Sequence, residues 1–141
     1  MVFYLDNQKY NKRINIIYNN NSTMETYMYD FENRDHYKKF VKDVCIDHTL
    51  VVKFTATWCV PCKKIYDYCL QRFNELDKNN ILCIEIDIDE SFDTFAFLKH
   101  KKMIQGVPTI YLYRQGKDNF IPDESVTGTN ITDLDYFFNN L

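Results

Sequence analysis

No apolar run in this sequence approaches the roughly 20 residues that a membrane-spanning helix needs, and Met1-Val2-Phe3-Tyr4-Leu5-Asp6 turns polar too soon for a signal peptide. Both absences lead to the expectation of synthesis into a reducing, cytoplasmic compartment. Basic charge is not in excess: 17 Lys and Arg face 20 Asp and Glu, a net charge of −3, so no positive field gathers nucleic acid. Zinc-ligand spacing is also missing. Cys45, Cys69 and Cys83 form no second C-x-x-C, and His36, His48 and His100 do not pair at zinc-finger spacing. The five cysteines are an odd number, which suits a reduced protein better than a disulfide-framed secreted one. Without a secretory route, the glycosylation tripeptides starting at Asn20, Asn21 and Asn130 read as chance in an Asn-rich chain. What is present is 141 residues, 45% of them hydrophobic, enough for one soluble α/β domain with a full core.

One stretch carries chemistry. Leu50 to Ile65 reads LVVKFTATWCVPCKKI: an apolar, β-branched run followed by a helix start, so Trp58-Cys59-Val60-Pro61-Cys62 falls at a strand-to-helix junction. Two cysteines three positions apart come within disulfide reach. A helix beginning at the first points unpaired N–H groups and a positive dipole end at it, so Cys59 should ionise more readily than Cys62. Pro61 suits the first helical turn, where its missing N–H costs little, and Lys63 and Lys64 add positive charge nearby. A metal half-site and a pair of buried structural cysteines are the competing readings. The first lacks partner ligands, and the second has no need of Trp58 and Pro61.

Trp-Cys-X-Pro-Cys-Lys after an apolar strand resembles the active site of the thioredoxin family, and Phe54-Thr55-Ala56-Thr57-Trp58-Cys59 resembles its eukaryotic members in particular. Gly106-Val107-Pro108-Thr109, with the strand Ile110-Tyr111-Leu112-Tyr113 and the turn Arg114-Gln115-Gly116-Lys117, is similar to the family's second signature. Gly128-Thr129-Asn130 before a last amphipathic helix matches its ending. The likeness runs roughly from Thr23 to Leu141. It implies a thioredoxin fold, a mixed central β-sheet with helices on both faces. It also implies a cis-proline at Pro108 facing a redox-active Cys59–Cys62 disulfide, with Cys59 as nucleophile and Cys62 as resolving thiol. Trp58, Val60, Pro61, Val107 and Pro108 would contact substrate. The implied partners are protein disulfides and a thioredoxin-reductase-like or dithiol electron donor. No cofactor beyond the disulfide is implied, and neither nucleic acid nor membrane enters the reading.

The rest of the chain fits that frame. Residues 1–22 form an N-terminal extension that would add an edge strand at Ile14-Asn15-Ile16-Ile17-Tyr18, remain a partly disordered arm, or dock a partner; residues 23–141 form the thioredoxin-like domain. Asn19-Asn20-Asn21-Ser22 reads as a polar turn. Met24 to Tyr29 alternates as a strand, and Tyr37, Phe40, Val41 and Val44 sit at helical spacing. Cys62 to Leu76 reads as one long helix, with Cys69 in the core about 10 Å beyond Cys62. Ile81 to Asp89 alternates as a strand. Ser91 to Met103 reads as a helix capped by Ser91, with Phe92, Phe95, Leu98 and Met103 inward. Thr109 to Tyr113 and Glu124 to Thr127 are strands joined by an enlarged connection, and Thr132 to Asn139 is the last helix.

Three departures from the family pattern bear on function. Lys53 stands where thioredoxins usually carry a buried Asp; a cation there favours thiolates but removes the likely base. An isolated buried ammonium needs a partner, and Glu85 on the neighbouring strand is the candidate, as ion-pair mate and replacement proton acceptor for Cys62. Val60 replaces a glycine and stiffens the loop. Asp67 replaces the proline that usually kinks the active-site helix, so a straighter helix is expected. Two function classes follow: a thiol–disulfide oxidoreductase acting on protein disulfides, or a thioredoxin-fold binding module disabled by Lys53.

Overall fold

The computed structural model describes residues 11–19 and 22–141. The first ten residues and Asn20–Asn21, where the sequence leads one to expect a polar turn, lie outside the described residues. The chain runs β1 (Asn11–Asn19), β2 (Ser22–Asp30), α1 (Arg34–Val44), β3 (Thr49–Thr55), α2 (Val60–Lys64), α3 (Tyr66–Glu75), β4 (Ile81–Asp87), α4 (Phe92–His100), β5 (Thr109–Tyr113), β6 (Glu124–Thr127) and α5 (Ile131–Asn139). The strands form one mixed sheet in the order β1-β2-β4-β3-β5-β6. β2, β4 and β3 run parallel, while β1, β5 and β6 pair antiparallel. Residues 11–19 occupy one edge, in register from Asn11 opposite Asp30 to Asn19 opposite Ser22.

β3 lies in the sheet interior because both its faces are apolar, the pattern of a strand covered by helices on two sides. Leu50, Val52 and Phe54 pack with Tyr37, Phe40 and Val44 of α1 and with Phe97 and Leu98 of α4. Val51 points the other way, into a second cluster with Ile65, Cys69, Phe73, Leu134, Phe137 and Phe138. Lys53 shares that second face by strand alternation. The helix starts are fixed by side-chain caps: Asn33 accepts from the His36 N–H at 3.0 Å, and Asn130 from the Asp133 N–H at 3.1 Å.

Two helical expectations need correction. The Cys62–Leu76 helix is not straight: Ile65, at φ −104° and ψ 5°, separates α2 from α3 without any proline. A buried, β-branched side chain sits at the break, 1% exposed, and each piece keeps its own bonds, Lys63 N–H to the Cys59 carbonyl and Cys69 N–H to the Ile65 carbonyl. The segment from Ser91 is helical only to His100, and the Ser91 hydroxyl accepts the Phe31 N–H at 2.8 Å instead of capping its own helix. Phe92 is 69% exposed, while Phe97 points inward. Phe97 and Leu98 carry the buried face of α4 into the core, and the Arg34–Asp93 ion pair at 2.8 Å ties α1 to α4 one turn before Phe97. Lys102 ends the segment at φ 57°, with its N–H on the Lys99 carbonyl and that of Met103 on the Leu98 carbonyl. Those two bonds make a Schellman motif with lysine at the left-handed position that glycine usually takes.

Candidate active site

β3 delivers the site. Its last residue, Thr55, is followed by a turn closed by the Cys59 N–H on the Ala56 carbonyl at 3.2 Å, and α2 opens immediately after with Pro61 in its first turn. Cys59 occupies the N-cap of α2, and its sulfur accepts the Cys62 N–H at 3.2 Å. A sulfur in that place replaces the usual capping oxygen and lies at the positive end of the helix. The two cysteines form a disulfide, with Cα atoms 5.3 Å apart, and each is 3% exposed. Lys63 and Lys64 are exposed, so water and salt screen much of their effect on the pair.

The second signature meets the first in space. The Val107 carbonyl oxygen lies 3.6 Å from Cys59 Sγ, and the Val107–Pro108 peptide bond is cis. The Thr109 hydroxyl donates to the Gly106 carbonyl at 2.7 Å, and the Gly128 N–H to that of Pro108 at 3.0 Å, tying this loop to β5 and β6. Trp58 and Val60 are 63% and 61% exposed and present an apolar surface beside the disulfide. The Trp58 indole N–H donates to an Asp89 carboxylate oxygen at 2.9 Å, and Asp89 is itself held by its N–H on Asp87 at 2.9 Å. Sequence reading missed Asp89 as a site residue, because a carboxylate just past a strand carries no local mark of the indole it will meet.

A buried ion pair joins β3 to β4. Lys53 and Glu85 stand opposite each other in the parallel register of β3 and β4, and Lys53 Nζ lies 3.2 Å from Glu85 Oε1. Their side chains are 1% and 8% exposed, so neither escapes to the surface. Lys53 Nζ also lies 5.5 Å from the centre of the Tyr66 ring. A cavity of about 330 Å³ beside Cys62 is lined by Thr55, Ala56, Lys63, Tyr66 and Asp67 among others. Cys69 senses the same pair: burial pushes its thiol up to about 11, with Lys53 opposing and Glu85 adding to the rise. Such a thiol stays protonated at neutral pH and takes no part as a nucleophile.

Comparisons with known proteins agree with this geometry. The Thioredoxin family model matches residues 29–139. Mouse thioredoxin is 38% identical over 73 residues, which cover 50% of this chain and 62% of that protein. Rabbit thioredoxin is 37% identical over 79 residues, covering 55% and 68%. The channel catfish protein is matched over 63% of its length, so the chain covers less than two thirds of that relative and of the mouse protein. Among solved structures, oxidised mitochondrial thioredoxin 3 of Saccharomyces cerevisiae aligns with a TM-score of 0.59 at 24% identity, over 79% of this chain and 92% of that one. A Plasmodium falciparum thioredoxin aligns at 0.55 and 23%, over 90% and 93%. The two structures share the fold, the relatives share sequence around it, and the chain belongs to the thioredoxin family.

Proposed function

We propose that this protein is a thiol–disulfide oxidoreductase that reduces or exchanges disulfides of other proteins. The observation that carries the reading is the Cys59–Cys62 disulfide at the N-cap of α2, with the Val107 carbonyl beside Cys59. In the reduced protein, the Cys59 thiolate attacks one sulfur of a substrate disulfide. A mixed disulfide forms and the other substrate sulfur leaves as a thiolate, which takes a proton from water. Cys62 then gives its proton to Glu85, the one buried carboxylate paired with Lys53, and attacks Cys59 Sγ. The second substrate sulfur leaves, the Cys59–Cys62 bond closes, and two electrons have passed to the substrate. A thioredoxin-reductase-like enzyme or a dithiol restores the pair. Trp58, Val60 and Pro61 form the exposed apolar platform for the substrate, with the Val107–Pro108 backbone as its polar edge.

Lys53 and Glu85 are a buried charge pair in which each balances the other, so Lys53 does not act as an unbalanced cation on the thiols. The test is insulin reduction with dithiothreitol as electron donor, followed by turbidity. The native protein is expected to accelerate precipitation and Cys59→Ser to lose that acceleration; equal rates for the two would refute the proposal and leave a binding module.

A further inference from the structure

We infer that Tyr66 is a positioning residue for the resolving step: its ring face holds the Lys53 ammonium against Glu85 and seals the pair from the cavity beside Cys62. The inference rests on the oxidoreductase reading above. Lys53 is buried, yet among the described residues its ammonium donates to one acceptor, Glu85 Oε1. An ammonium left with unsatisfied N–H groups in a core would swing out or lose its proton. The other electron-rich surface it meets is the Tyr66 ring, at 5.5 Å, within the range of a cation–π contact. Tyr66 is half-buried, the first residue of α3, and lines the cavity that Cys62 also lines. It therefore stands between solvent in that cavity and the ion pair. The break at Ile65 has a use here, since it separates the helical phase of Tyr66 from that of Cys62.

Other groups facing the pair do not replace this contact. From α3 come Asp67, exposed, and Cys69, a protonated thiol. α2 contributes Cys62 and the exposed Lys63 to the cavity that Tyr66 also lines. Asp87 and Cys83 share the Glu85 face of β4, and Asp87 is engaged by the Asp89 N–H. The strand partners on either side, Met28 of β2 and Ile110 of β5, carry no charge. With the ring gone, Lys53 gains an exit toward the cavity and leaves Glu85 behind. A buried carboxylate deprived of its cation keeps a proton to higher pH and accepts none from Cys62.

Stopped-flow reaction of the reduced protein with dithiobis(nitrobenzoate) separates the steps. The first nitrothiobenzoate released reports Cys59 attack, and the second reports Cys62 resolution. Tyr66→Phe is expected to match the native protein in both phases across pH. Tyr66→Leu, which keeps bulk but not the ring, is expected to leave the first phase unchanged and to move the pH midpoint of the second upward by about one unit, a tenfold change in proton affinity. An unmoved midpoint in Tyr66→Leu, or a Phe variant that behaves like Leu, overturns the inference. In the native protein, proton NMR is expected to show the Lys53 ε-methylene shifted upfield by the ring; an unshifted methylene overturns it without any variant. Absence of a second phase in the native protein would instead sink the oxidoreductase reading itself.

Discussion

Removing the cation from the buried pair is the perturbation whose size the structure sets most directly. At 3.2 Å, the Lys53–Glu85 attraction is about 5 kcal/mol for an effective dielectric near 20. Desolvating both groups offsets most of it, so the net contribution of the intact pair is small. Lys53→Met retains the bulk and leaves Glu85 buried without its partner. The expected loss is about 3–5 kcal/mol at pH 7, a large fraction of the stability of a domain this size. Lys53→Met with Glu85→Leu removes both charges and is expected to return to within about 1 kcal/mol of the native value. The single variant's defect also shrinks on acidification, because protonated Glu85 costs less to bury. Urea unfolding of the oxidised forms, followed by circular dichroism, measures all three. A loss below about 0.5 kcal/mol in Lys53→Met, the range of an ordinary surface change, would refute the buried-pair account. So would a double variant as unstable as the single one.

Two further outcomes follow from local geometry. Lys102→Gly relieves a left-handed lysine at the end of α4 and is expected to stabilise the protein by about 0.5–1 kcal/mol in the same urea assay, with no change in insulin reduction. The Arg34 guanidinium, by hydrogen bonding, holds the Asp93 carboxyl down at about 2, below the ordinary carboxylate value near 4. The pair's stabilisation is therefore complete above pH 4 and is lost as pH falls toward 2, so Asp93→Asn should be less stable than the native protein at neutral pH, converge with it as pH falls toward 2, and show a flatter acid-unfolding profile in that window.

The centre of the fold and the cysteine pair were legible because their signals are local. Leu50 to Thr55 is too apolar on both faces for an edge strand, and Trp58-Cys59-Val60-Pro61-Cys62 places capping residue and helix starter in one short stretch. The Lys53–Glu85 pairing could be read as well, since a lysine inside such a strand demands an anion and β4 offers a suitably placed one. Harder to read were features decided by tertiary contact. Phe92, Phe95 and Phe97 give α4 no clean periodicity, so which ring is buried is decided by how α4 packs on the core and not by its own spacing. The interruption at Ile65 has neither proline nor glycine to announce it. Lys102 likewise ends α4 without the usual glycine, and Asp89 becomes a site residue only when β4 brings it beside Trp58.

The most direct test of the account is the midpoint potential of the Cys59–Cys62 couple at pH 7, by equilibration against dithiothreitol and glutathione with Trp58 fluorescence as the signal. The neutralised Lys53–Glu85 pair predicts a reversible two-electron transition near the roughly −270 mV of thioredoxin. A transition above roughly −200 mV would mean that the thiolates feel an unbalanced cation, contradicting the pair. No reversible transition at all would contradict the assignment of Cys59 and Cys62 as a redox couple.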